Sequence, residues 1–473
     1  MRTSFREKVI KPLRELGEGD FWRAFLPLVL PITLQQMLIS SLNLVDTLMV
    51  GQLGDEAIAS VGVAGQLSFF INVVLFGMAS GGAVFIAQYH GAGDRASIRR
   101  VFGAVLCMNV PLALLVCGVC FFAPEFIASV FTDEPAMIEG AAQYLQIACF
   151  AYLGVSLSQT MSVVLRSTEK VRLPMFASMA SSLLNVVFNY VLIFGYLGFP
   201  AMGIRGAAVA TVISSFTNVA VLLIVSLIQK NILIAPLREI FSISGGFMRH
   251  FLKLAAPVLI NEGLWSLGVL GYNMVYGRMG QENYAALTIC RTVEDLAFIF
   301  FVGICNACNI MVGKRIGAGD IEEAKDYSRR FMFLMPLVSV TVGLCIILAR
   351  PAILSLFAVT ETVRNTAELI MLIYSLEIGF RNISYLAVVG VFRAGGDTRA
   401  GVRYDGFCLY CIGLPVVIVT GLFLQVPFAV VYLLMLLSED IPKCVLCLRR
   451  FHSMKWIQPV TEKETGALGG GCS

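Results

Sequence analysis

Apolar residues in this chain do not alternate with polar ones but run on, broken by short polar stretches. Twelve runs stand out, at roughly 24–50, 57–88, 101–123, 137–164, 174–196, 206–229, 250–275, 284–312, 331–349, 365–390, 402–423 and 426–448. A helix needs about 20 consecutive apolar residues to cross a bilayer core, so the pattern predicts an all-α integral membrane protein with twelve transmembrane helices. Several runs exceed that length, which predicts tilted or kinked helices. Pro27, Pro31 and Pro257 fall inside runs and are the expected bend points, because proline removes a backbone donor.

The runs repeat. Gly91-Ala-Gly-Asp94 recurs as Gly317-Ala-Gly-Asp320, a shift of 226 residues, and Pro31 and Gly51 map to Pro257 and Gly277 at the same shift. Pro124 and Arg166 map to Pro351 and Arg393 at a shift of 227. The chain therefore reads as two pseudo-symmetric six-helix lobes, 1–235 and 236–473, around a central cleft. An even number of helices per lobe gives both the same orientation, as in transporters built from parallel repeats. The segment between the lobes, 230–249, reads as a cytoplasmic linker with a short amphipathic helix.

Composition agrees with the membrane class. Charged residues make up 14% of the chain and mean hydropathy is +0.81, against roughly 25% charged in a soluble domain. The charges are also sorted. Twenty-nine of the 35 Lys and Arg fall at the end of the spans shared with the N-terminus, and only Arg205, Arg278, Arg350 and Arg364 at the other. The positive-inside rule then places both termini in the cytoplasm and the protein in the cell (inner or plasma) membrane as a multi-pass chain. The 13 cysteines mostly lie in apolar runs and read as small buried residues. Cys444 and Cys447 form a CxxC without further ligands at metal-site spacing.

Against this background Asp46 stands out, an acid near the far end of the first span with apolar residues on both sides. Such a group is costly unless it faces a cavity, a partner or an ion. In the fifth span Asn185 and Asn189 share one helix face among Leu184, Val186, Val187 and Phe188. One carboxylate with two amide oxygens is a hard, singly charged ligand set, suited to a proton or a small monovalent cation rather than a divalent one. The alternative for the two amides is interhelical hydrogen bonding. In the second lobe the seventh span holds Glu262, whose repeat mate is Gln36; the eighth holds Arg291, Glu294 and Asp295; the tenth holds Glu377 and Arg381, four residues apart and expected to pair. Glu262, Glu294, Glu377 and Arg381 are candidates for a second-lobe cation or substrate site, and Glu262 is alternatively expected to pair with Arg291 or Arg381.

Several stretches together resemble the multidrug and toxic compound extrusion (MATE) family, in its prokaryotic NorM- and DinF-like form. They are LNLVDTLMVGQLG in the first span, the two GAGD loops, LNVVFNYVLIFG in the fifth span, Gly203-Ile-Arg-Gly-Ala-Ala208, Phe392-Arg-Ala-Gly-Gly-Asp-Thr398 and the ending RRFHSMKWI. The resemblance covers nearly the whole chain. It implies a MATE fold and secondary active antiport of drugs and organic cations, with inward sodium or proton flow driving export. It also implies that Asp46 is the acid coupling ion flow to transport. Some members carry an acid where Asn189 stands, and NorM-type members carry cation-serving acids on helices 7 and 10, which Glu262 and Glu377 match imperfectly. By the same analogy helices 1, 2, 7 and 8 line the cleft. They would offer Gln35, Gln36, Met37, Phe69, Phe70, Trp265, Tyr272, Phe298 and Phe300, a lining that suits small amphiphilic cationic compounds.

Other classes lack residues. There is no Walker A, GxGxxG, HExxH or GxSxG in a fitting context, and His90, His250 and His452 are isolated. The expectation is a non-enzyme with no cofactor beyond the coupling ion, sodium or proton. The lipid bilayer and a small amphiphile are its partners, nucleic acid is not, and it works as a single copy. A lipid-linked precursor flippase of the same superfamily would want a cationic cleft, whereas the intramembrane charges here are mostly acidic. A non-transporting membrane receptor would want a soluble signalling domain.

Overall fold

The computed structural model describes residues 19–357 and 359–460. Of the basic residues assigned to the cytoplasmic side, Arg2, Arg6, Lys8, Lys11, Arg14 and Lys463 lie outside these. The described chain is all-helical. Its long helices are α1 (Gly19–Gly51), α2 (Asp55–Gly91), α3 (Arg95–Phe122), α4 (Pro135–Ser167), α5 (Arg172–Phe194) and α6 (Ile204–Gln229). Then follow α7 (Gly245–Arg278), α8 (Gln281–Gly317), α9 (Ile321–Ser355), α10 (Glu361–Phe392), α11 (Thr398–Phe423) and α12 (Phe428–His452). Each matches an apolar run; α9 starts ten residues before its run, and the other boundaries differ by six residues or fewer. The last turns of α10 and two stretches of α11 widen to π-helix. The expected linker helix is a single turn, Leu237–Ile240.

Among the described residues eleven of these helices are long and apolar enough to cross a membrane. The exception is α12, where Glu439, Asp440 and Lys443 interrupt the apolar run. Lys443 and Arg393, counted above with the cytoplasmic loop charges, are in fact buried in ion pairs with Asp405 and Glu262. Loop charge counting cannot distinguish a basic residue at a loop from one that has turned inward.

The helices sort into two compact units. One holds Pro31–Ile86 and Asp94–Ala255; the other holds the described residues up to Leu30, Ala87–Gly93 and the described residues from Ala256. The chain thus changes unit at Pro31 in α1 and at Ala256, beside Pro257, in α7. These are the two prolines that the repeat equates.

In the first unit α6 packs on α4 and α5, and α3 packs on α4. Small residues permit the approach. A Cβ on Gly154 would lie 2.6 Å from the hydroxyl of Ser215, the kind of small-residue contact through which helices pack in lipid.

In the second unit α9 packs on α8 and α10, and α10 on α12. The GAGD loops do two jobs here. Their second glycines, Gly93 and Gly319, turn the chain at φ of 74° and 85°, a conformation that favours glycine. Their first glycines make a close backbone crossing: a Cβ on Gly91 would fall 1.9 Å from the Lys314 carbonyl oxygen, and one on Gly317 1.8 Å from that of Gln88. Residues 451–460 fold back on this crossing. Trp456 is fully buried and stacks on Phe451, Gln458 N donates to Gly395 O at 2.7 Å, and Val460 N donates to Gln88 Oε1 at 2.8 Å. The amide of Gln88 in turn donates to Ala394 O at 2.8 Å.

Candidate functional site

The first unit brings together the three residues singled out for ion coupling. Asp46 lies one turn from the end of α1, half-buried. Asn185 and Asn189 lie one turn apart on α5, each 1% exposed. The Nδ2 of Asn189 donates to Oδ1 of Asp46 at 2.5 Å and to Oδ1 of Asn185 at 3.0 Å. The Nδ2 of Asn185 donates to the hydroxyl of Ser214 on α6 at 3.3 Å, and Ser181 fixes the Ser214 carbonyl at 2.7 Å. A single chain of hydrogen bonds therefore runs from the acid through both amides to α6. Tyr144 of α4 packs, like Met49, against the cluster that holds Val50.

One acceptor in this chain is unused. Oδ1 of Asn189 is buried and, among the described residues, has no hydrogen-bond donor. A buried unpaired carbonyl costs on the order of 1–3 kcal/mol. Beside the Asp46 carboxylate it supplies the oxygen that a cation or an acid proton would need. Sequence reasoning found the acid and the amides but missed Ser214 and Tyr144, since single hydroxyls in apolar runs carry no local signal.

Truncating either amide should weaken the site without abolishing it, since each removes one neutral ligand worth about 1 kcal/mol. Asn185→Ala and Asn189→Ala are each expected to raise the half-maximal ion concentration for efflux by roughly fivefold. The check is a titration of efflux rate against ion concentration; unchanged curves would remove the amides from the site.

The second unit holds the other candidates, differently paired than expected. Glu262 pairs with neither Arg291 nor Arg381; Arg393, from the loop end of α10, donates from Nη2 to its Oε1 at 2.6 Å. Glu377 and Arg381 do not pair across one helical turn. Arg381 reaches over to Oε2 of Glu294 on α8 at 3.4 Å, and Tyr432 donates to the other oxygen of Glu294 at 2.6 Å. Both oxygens of Glu377 are buried without a hydrogen-bond partner among the described residues. On a helix surface i,i+4 partners gain only a few tenths of a kcal/mol, so a better-placed acid on a neighbouring helix takes the arginine.

The proposed lining residues divide. Gln35 is buried and donates to Ser178 at 2.8 Å, and Tyr272 is buried and donates to Glu439 at 2.7 Å, so both serve packing within their own units. Phe298 packs on Tyr385 with ring centroids 4.9 Å apart. Met37, Phe69, Phe70 and Phe300 expose about half their surface, while Gln36 and Trp265 are half-buried.

Comparison with known proteins places these features in a family. The family model described as MatE matches residues 31–191 and 257–419, once in each half. A probable multidrug resistance protein NorM of Thermotoga maritima is 28% identical over 446 residues, covering 92% of this chain and 93% of its own. The multidrug resistance protein NorM of Burkholderia vietnamiensis is 27% identical over 396 residues, covering 82% of this chain and 84% of its own. In three dimensions the crystal structure of the Vibrio cholerae MATE transporter VcmN in the bent form is similar at a TM-score of 0.82 and 17% identity. It covers 93% of this chain and 99% of that one, a likeness that shows the fold.

Proposed function

The chain belongs to the MatE family, and from that premise we propose that it is a multidrug exporter of the cell membrane, with both termini in the cytoplasm. Inward flow of a monovalent ion, sodium or proton, drives small amphiphilic cationic compounds outward. The substrate site faces the two sides of the membrane in turn. The relatives named as multidrug resistance proteins support the export of small molecules over the two other classes weighed, a flippase and a receptor.

The observation that carries the ion coupling is the Asp46 chain. It offers one negative charge, and Asn189 Oδ1 stands buried and unsatisfied beside it. Desolvation favours the neutral acid and a bound cation favours the ionised one, so the same carboxyl can exchange a proton for a cation. Competition between the two ions follows directly. The test is dye efflux from proteoliposomes holding the full chain, with sodium and pH gradients imposed separately. Efflux under either gradient supports the reading and identifies the ion; efflux indifferent to both overturns it.

A further inference from the structure

The exposed residues of α11 fall at every fourth position from Arg399 to Phe423 and nowhere else along the helix. An α-helix has 3.6 residues per turn, so a row at that spacing would drift around it. The two π-helical stretches, Phe407–Gly413 and Val419–Phe423, turn more widely and hold the row nearer to one face. On α12 Leu437, Ile441, Val445 and Arg449 form a similar exposed row.

Both rows change character at one level. On α11 two cations, Arg399 and Arg403, come before Phe407, which is 52% exposed. On α12 the order is reversed: Ile441 and Val445 lead to Arg449, and the exposed His452 follows. Two inward contacts fix the register of these antiparallel helices. Nε of Arg450 donates to Oδ2 of Asp397 at 2.7 Å, and Lys443 pairs with Asp405. That register sets Arg399 level with Arg449, and Phe407 level with Ile441.

The acids of the two helices turn the other way. Asp397, Asp405 and Asp440 are buried, and Glu439 accepts from Tyr272. No acid stands in either row. Arg403 donates from Nε to the Arg399 carbonyl at 3.3 Å, and among the described residues Arg399, Arg403 and Arg449 make no ion pair. From Val430 to Val445 every exposed residue of α12 is apolar. That stretch measures about 23 Å at 1.5 Å per residue, most of a hydrocarbon core of about 30 Å. The charges that interrupt α12 therefore face inward, and its outer row is apolar until the cations begin.

We propose that the Arg399–Arg403 step on α11, level with Arg449 on α12, binds an anionic phospholipid. The headgroup phosphate lies against the guanidinium groups, whose planar forks match it, and an acyl chain runs along Phe407. Charge selects this occupant: unpaired cations at the end of an exposed apolar row meet a molecule with an anionic head and an apolar tail. The inference goes beyond the exporter reading and does not depend on it.

The test is quenching by bromine-labelled lipids in symmetric bilayers that hold the full chain, so neither transport nor orientation enters it. Phe407→Trp adds a reporter to the three tryptophans of the wild type, whose signal is subtracted. Brominated phosphatidylglycerol should bind at the reporter more tightly than brominated phosphatidylcholine, by roughly fivefold for each arginine engaged. Replacing Arg399 and Arg403 together by glutamine should bring the two lipids near parity. Arg238→Gln, on the linker turn of the other unit, should change nothing. Should the glutamine pair not fold, Arg449→Gln read by Ile441→Trp carries the test. Equal quenching by the two lipids at Phe407→Trp, a preference that survives the glutamine pair, or one that Arg238→Gln also removes, overturns the proposal. Inorganic phosphate that abolishes the preference at constant ionic strength would make the step a free-anion site and overturns it too.

Discussion

The Asp46→Asn protein is expected to bind its substrate and fail to export it. Asparagine keeps the shape of the side chain and an oxygen that can accept from Nδ2 of Asn189, so the contact at 2.5 Å can persist. What goes is the charge, and with it the exchange between proton and cation. A hydrogen bond to a charged group is worth about 1.5–3 kcal/mol, so gradient-driven efflux should fall by roughly ten- to a hundredfold. Equilibrium binding of substrate by the detergent-solubilised protein should stay close to wild type. Asp46 sits on α1, which stays helical through Pro27 and Pro31 although neither proline can donate to the preceding turn. The chain changes unit at Pro31, so a change of charge at Asp46 acts on a helix already weakened at the place where its two parts separate. Wild-type efflux rates in proteoliposomes would make Asp46 a structural acid.

How much of this was legible follows from how local each signal is. Helices were legible because a membrane span writes itself into 20 or more consecutive residues. The cap of α3 by Asp94, which accepts from Ser97 N at 3.0 Å, follows from a few adjacent residues. Asp46 with Asn185 and Asn189 was legible because an acid and two amides are out of place in lipid. Partners were not legible. Arg393 and Glu262 stand 131 residues apart, and nothing near either one names the other. The repeat held a clue: Arg166 and Arg393 correspond, but Gln36 stands opposite Glu262, so only the second half can form the ionic version of that contact. Glu439 and Asp440 were passed over, and Lys443 was counted with the loop charges, because they fall towards the end of the last apolar run, where charges ordinarily belong to the membrane rim. Burial, which composition does not encode, turned them into an interior network.

The largest loss of stability is expected from Glu262→Gln. The carboxylate of Glu262 meets the guanidinium of Arg393 at 2.6 Å, with side chains 16% and 3% exposed. Removing one member of such a pair leaves the other charge buried, which costs about 3–5 kcal/mol. The guanidinium cannot discharge by losing its proton. Arg393 also sits at the junction where residues 451–460 dock: the next residue, Ala394, accepts from Gln88, and Gly395 accepts from Gln458. A misplaced Arg393 would therefore loosen the contact that ties Ala87–Gly93 to the second unit. Thermal unfolding in detergent, followed by tryptophan fluorescence, is the direct measurement, since Trp456 is buried in that same junction. Replacing both partners by leucine should recover much of the loss, because an apolar pair of similar volume strands no charge. The transport that remains per folded molecule separates the roles. If Glu262→Gln unfolds at the wild-type temperature yet exports nothing, the carboxylate serves the substrate or the ion and its bond to Arg393 is incidental. If it unfolds early while its folded fraction exports normally, the pair is a staple of the second unit.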